Sequence, residues 1–127
     1  MLRSIATVLP VSDVATTMQW YRDVLGFAAD PWPADKPCFA ILRRDGVEIM
    51  VRQDPSAMRK NGRASRWNAY IRLDGNAVES LFAELKDKAH VLRSVEKASY
   101  GQTEFEIEDC NGYVLCFAEM QPVAAAV

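Results

Sequence analysis

One order of local patterns runs through the chain twice: a strand, a helix, then three strands. Both rounds open on a strand that runs into an aspartate before the helix, Val11-Ser12-Asp13 in the first and Leu73-Asp74-Gly75 in the second. Duplication at this level narrows the choice of folds more than any single motif. Each half has one helix to cover one face of its sheet. The other face then needs the second half, a partner chain or a ligand.

The individual signals support that order. Residues 4–11, SIATVLPV, read as a strand in which Pro10 marks an edge or irregularity. Ser12 and Asp13 offer caps, and Val14, Met18, Tyr21 and Leu25 line one stripe of a helix that Gly26 stops. A weak strand and a turn around Pro31 and Pro33 occupy 27–36, and strands at 37–43 and 46–52 flank the hairpin pair Asp45-Gly46. Residues 53–65 lose all periodicity and are expected to be a linker. In the second half the strand covers 66–73, and a helix to about Lys88 carries Val78, Leu81, Phe82 and Leu85. Strands follow at 90–96, 103–108 and 113–119, and the tail PVAAAV is expected to fray. The expected organisation is one domain over 1–127, with a first module at about 4–52 and a second at about 66–119.

Composition excludes several function classes. A chain of 127 residues, half of them hydrophobic, has one substantial core and no room for a large multidomain enzyme. Fifteen basic residues against seventeen acidic ones leave a net charge of −2, a poor match to a nucleic-acid surface. No apolar run is long enough to span a bilayer, and the first residues lack the pattern of a signal peptide. Cys38, Cys110 and Cys116 have no zinc-type spacing, so reduced thiols and a cytoplasmic location are expected.

Two-residue periodicity sorts the strands that border the two-module repeat. Leu9, Val11, Ile49, Val51, Ile71 and Leu115 fall on the face meant for the helices. Val8, Glu48, Met50, Arg52, Asn68, Tyr70, Arg72 and Cys116 fall on the other. Apolar walls with a few hydrogen-bonding groups suit a small-molecule pocket.

The stretch PVSDVATTMQWYRDVLGF at 10–27 closely resembles the opening of the glyoxalase/bleomycin-resistance/ring-cleaving dioxygenase superfamily, also called vicinal oxygen chelate proteins. The stretch YGQTEFEIEDCNGYVLCFAE at 100–119 is similar to its usual ending, an aromatic-Gly lead-in, a D-x-x-G turn and an apolar strand. The resemblance implies an α+β fold of two tandem βαβββ modules that form a concave curved sheet, and a homodimer. Metal-dependent members take ligands, usually histidine, glutamate or glutamine, from equivalent strand positions of the two modules. Carried over, those positions hold Ala6, Glu48, Asn68 and Cys116, and a register that aligns the two aspartates selects Trp67 in place of Asn68. Ala6 has no lone pair to donate and neither register supplies a histidine, so no metal and no cofactor is expected.

Recognition then falls to Glu48, Met50, Arg52, Asn68, Tyr70, Arg72 and Cys116, with Trp32 and Trp67 as stacking walls or interface anchors. Arg52 and Arg72 suit a carboxylate or phosphate, and Glu48 suits an amine or a base role. The alternative is that these charges satisfy one another at an interface. Cys116 has no histidine near it in sequence and reads as a quiet thiol, His90 as a surface or helix-end residue. Glu104, Glu106 and Glu108 read as an acidic rail facing water. Three functions follow from these readings. The first is a metal-independent protein that binds a small planar or amphipathic molecule, similar to bleomycin-resistance proteins. The second is a glyoxalase- or dioxygenase-type enzyme with a non-standard site around Glu48. The third is a structural or regulatory subunit without a ligand. Neither nucleic acid nor a membrane is an expected partner.

Overall fold

The computed structural model describes residues 1–59 and 67–120. Residues 60–66, which take in the end of the expected linker and the first residue of the expected second module, and the expected frayed tail lie outside the described residues. Contacts divide the chain into two units, Met1–Arg59 and Lys60–Val127.

The first unit runs β1 (Thr7–Val11), α1 (Val14–Leu25), β2 (Ala28–Trp32), β3 (Phe39–Arg44) and β4 (Val47–Gln53). Its sheet has the order β1-β4-β3-β2, with β1 parallel to β4 and the other pairs antiparallel. The helix begins where the Asp13 carboxylate accepts the Thr16 N–H at 3.1 Å, satisfying a donor that the first turn leaves unpaired. It ends at Gly26, whose φ of 70° is the left-handed conformation that glycine adopts without a Cβ penalty. Val14, Thr17, Tyr21 and Leu25 are its buried residues, so Thr17 takes the central place expected of Met18. Thr17 meets the cost of burying a hydroxyl by donating it to the Asp13 carbonyl. Against this stripe pack Leu9, Val11, Ala40, Leu42, Ile49 and Val51, all buried.

The second unit repeats the order: β5 (Ala69–Leu73), α2 (Ala77–Leu85), β6 (His90–Lys97), β7 (Thr103–Glu108) and β8 (Val114–Glu119). Its sheet is β5-β8-β7-β6, again with the first and last strands parallel. A stack of rings fills the core: Phe82 meets Phe105 edge-on at 5.2 Å, and Phe105 stacks on Phe117 at 5.1 Å. The turn before β8 is built by Asp109, whose Oδ1 accepts the N–H groups of Asn111 and Tyr113, with Gly112 at a φ of 81°. The periodicity found the order of strands and helices and extended some elements too far. β1 starts three residues after the expected Ser4, β5 starts at Ala69, and α2 stops at Leu85.

Val114 through Ala118 of β8 are all buried. One expectation for the second sheet fails. The acidic rail does not face water. Glu104 is 0% exposed, Glu108 is buried and Glu106 half-buried. The physical cause lies in β6. Val91 pairs with Ile107 but Arg93 pairs with Glu106, two steps along β6 for one along β7. A second irregularity sets Glu96 opposite Glu104. An extra residue turns every following side chain to the other face of the sheet. Arg93 would otherwise share the core side with Val91. The two bulges bring Arg93 and then Glu96 over the face of the rail, where the guanidinium neutralises carboxylates that would be too costly to bury alone.

Candidate functional site

The polar face of the second sheet gathers most of the charged and aromatic groups that are in mutual contact. Alternation along β7 sends Phe105 and Ile107 toward α2 and Glu104 and Glu106 to the opposite side. Cys116 on β8 lies between them and Tyr70 on β5, since it pairs with both Tyr70 and Glu106. Glu104 accepts from three donors: Tyr70 Oη at 3.0 Å, the Arg93 guanidinium and Tyr100 Oη. Glu106 accepts from Arg93 Nη2 at 2.9 Å and from the indole Nε1 of Trp67 at 2.8 Å. Arg93 also reaches Glu96 at 2.7 Å, so one guanidinium ties three carboxylates together.

Three rings stand over these carboxylates. Trp67 and Tyr70 lie 4.7 Å apart, and Trp67 and Tyr100 meet at 6.3 Å and 82° to form a corner. Trp67 keeps 43% and Tyr100 53% of its surface exposed. All three ring donors bond the acids. Arg72 lies over the Tyr70 ring, its guanidinium carbon 5.4 Å from the centroid.

The electrostatics follow from this packing. Burial pushes the Glu104 carboxyl up, but hydrogen bonds from Tyr100, Arg93 and Tyr70 and the Arg93 charge outweigh it and hold the group below its ordinary range. Burial, then the bond to Glu104 and its charge, push the Tyr70 phenol up to about 12. Tyr100 is raised for the same reasons. Burial and the charges of Glu104 and Glu106 push the Cys116 thiol well above its usual value, so it remains protonated and is no nucleophile.

The remaining expected site residues are dispersed. Glu48 on β4 accepts from Arg43 Nε at 3.0 Å, and Arg43 also approaches Asp30 at 3.8 Å. Glu48 therefore pairs with a neighbour on β3 and, among the described residues of its own unit, not with Arg52. Met50 is half-buried on the same face between Val8 and Ile41, and Arg52 beyond it is exposed. Trp32, 68% exposed, ends β2 opposite Phe39. Asn68 serves the backbone: its Oδ1 accepts the Val114 N–H at 2.9 Å while its own N–H donates to the Val114 carbonyl. This continues the β5–β8 pairing by one step. His90 opens β6 and bonds Glu108 through Nδ1. Arg93, Glu104, Glu106 and Tyr100 were missed as site residues. The odd spacing Val91, Arg93, Glu96 against Glu108, Glu106, Glu104 was the only signal, and it is readable only once the strands are paired.

The superfamily's metal positions do not fit a metal in this chain. Ala6 carries no donor, Glu48 is bound to Arg43, and the Asn68 carbonyl oxygen is used by Val114. The donor atoms of Glu104, Glu106 and Cys116 do lie within 4.8 Å of one another. There the positive charge is supplied by Arg93.

The Glyoxalase/Bleomycin resistance protein/Dioxygenase superfamily matches over residues 4–117, and the chain belongs to that superfamily. Among curated proteins no match is found. Solved structures share the fold at low identity. TioX from Micromonospora sp. ML1 is 18% identical with a TM-score of 0.71, the match covering 94% of this chain and 99% of that one. A bleomycin resistance determinant encoded on the transposon Tn5 is 19% identical with a TM-score of 0.71, over 95% and 100%. The bleomycin-binding protein of Streptomyces verticillus, complexed with copper(II)-bleomycin, is 19% identical with a TM-score of 0.70, over 95% and 100%.

Proposed function

We propose that this protein binds a small planar or amphipathic molecule without a metal ion and does not transform it. The observation that carries the reading is the partly exposed ring corner of Trp67, Tyr70 and Tyr100, fixed by carboxylates whose hydrogen bonds are already made. Fixed rings lose little side-chain freedom on binding and offer large stacking surfaces. Among the described residues the same packing leaves none of the expected candidates poised for catalysis. The Cys116 thiol and both tyrosines are held protonated, and Glu48 is held by Arg43. Two structural relatives bear names that speak of bleomycin resistance or binding, which supports sequestration as the role. Trp67, Tyr70 and Arg72 are the ligand contacts in this reading, with Asn68 and Cys116 as their support. Glu48, Met50, Arg52 and Trp32 form a second polar face on the first sheet, available to the same or a dimer-forming role.

Calorimetric titration against a panel of planar and amphipathic compounds, bleomycin included, tests the reading. A selective ligand should raise the midpoint of thermal unfolding by mass action. Trp67→Ala should weaken it by about tenfold or more, the loss expected for an aromatic contact of about 1.5 kcal/mol. Turnover of any bound compound, or a stoichiometric metal lost in Glu48→Ala, overturns the proposal.

A further inference from the structure

We propose that Arg93 is the positioning residue of the ring corner: from β6 it fixes the orientation of Trp67 through Glu106, an inference that rests on the binding role just proposed. Trp67 lies before β5 and Tyr100 in the turn between β6 and β7, so strand alternation sets neither ring. The second torsion of an aromatic side chain is broad, and what holds such a ring is the bond its polar hydrogen makes. The indole of Trp67 gives that bond to Glu106 Oε2 at 2.8 Å. The same oxygen accepts from Arg93 twice, Nη2 at 2.9 Å and Nε at 3.2 Å. Nη2 also donates to Glu104 Oε1, the oxygen that takes the Tyr100 hydroxyl, so one nitrogen bridges the two acids. Without that bridge Glu104 and Glu106 would be like charges on one face of β7. They would not respond alike. The Glu104 side chain has no exposed surface and keeps Tyr70 as a donor on its other oxygen, at 3.0 Å. The Glu106 side chain is 20% exposed, so it can turn to water and take the acceptor of Trp67 with it. A lysine at position 93 would restore the charge but not the fork that grips one oxygen from two nitrogens and spans both acids. Arg93 supplies geometry as well as charge.

The test uses the full chain labelled with 5-fluorotryptophan. Its three tryptophans give three fluorine resonances, and Trp67→Phe identifies one of them by its loss. Arg93→Lys should move the Trp67 resonance toward its position in the urea-unfolded chain, while those of Trp20 and Trp32 stay in place. Glu106→Ala leaves Arg93 paired with Glu96 and Glu104, should move the same resonance, and serves if Arg93→Lys fails to fold. Nile red, an uncharged planar dye, reports binding by its fluorescence. Either change should weaken its affinity about fivefold, the factor for ordering one side chain anew on binding. In a Trp67→Phe background, which has no indole hydrogen to hold, the same change should cost less than about twofold. A Trp67 resonance that both variants leave unmoved, or a loss of affinity that persists undiminished with Trp67→Phe, overturns the positioning role. The binding role then stands so long as Trp67→Ala weakens the dye. If Nile red does not bind, or binds Trp67→Ala as tightly as the natural protein, the binding role falls and the inference with it.

Discussion

Arg93 does the work of three partners. Among the described residues its guanidinium alone enters the buried acid network, and Glu104 beneath it has no exposed surface. Removing one member of a buried charge network leaves the other uncompensated, at a cost of about 3 kcal/mol. Arg93→Met should lower stability by about that amount in urea unfolding, whereas exposed Glu96→Gln should cost less than about 1 kcal/mol. The pH dependence has a definite sign. Glu104 is held below its ordinary range when folded, so its contribution is complete above the unfolded value of about 4.3 and disappears as pH falls toward the folded one. Urea unfolding between neutral and acid pH should therefore show a steeper loss in the natural protein than in Glu104→Gln. At the alkaline end Tyr70 titrates near 12 when folded and near 10 when unfolded, so stability should fall as pH rises through that interval. Spectrophotometric titration of Tyr70→Phe should show one late-titrating phenol fewer.

Elements were legible where local chemistry decides them. Asp13 and Gly26 mark the ends of α1 in the chain as in the structure, because a cap and a left-handed glycine are properties of single residues. Gly26→Ala should cost about 1 kcal/mol from its φ alone, and Asp13→Ala a similar amount, both measured by thermal or urea unfolding. An Ala Cβ at position 26 would find ordinary space, 3.5 Å from the Arg44 guanidinium, so conformation and not crowding sets that cost. The faces of β4 and β5 were also legible, as Ile49, Val51, Ala69 and Ile71 alternate with Glu48, Met50, Tyr70 and Arg72. β6 was not. Its hydrophobic pattern carries no sign of two inserted residues, and register belongs to a pair of strands, not to either one. The rail of glutamates therefore read as solvated, and the site built upon it stayed hidden.

At the scale of the molecule the two units share one topology and divide the chemistry unevenly. The first has an exposed charge pair, Glu48 with Arg43, on its polar face, while the second has the buried network. Acidification should therefore open the second unit first. Hydrogen exchange as pH falls below about 4 should accelerate in β5 to β8 before β1 to β4, and uniform loss across both sheets would contradict the assignment. That order has a consequence for handling the protein. Between Gly112 and Glu119 the chain reads Tyr-Val-Leu-Cys-Phe-Ala, six residues without a charge or a proline, shielded on both sides only while the sheet is closed. Once acid frees this ribbon it has the makings of an intermolecular zipper, and solutions left at low pH should cloud instead of refolding.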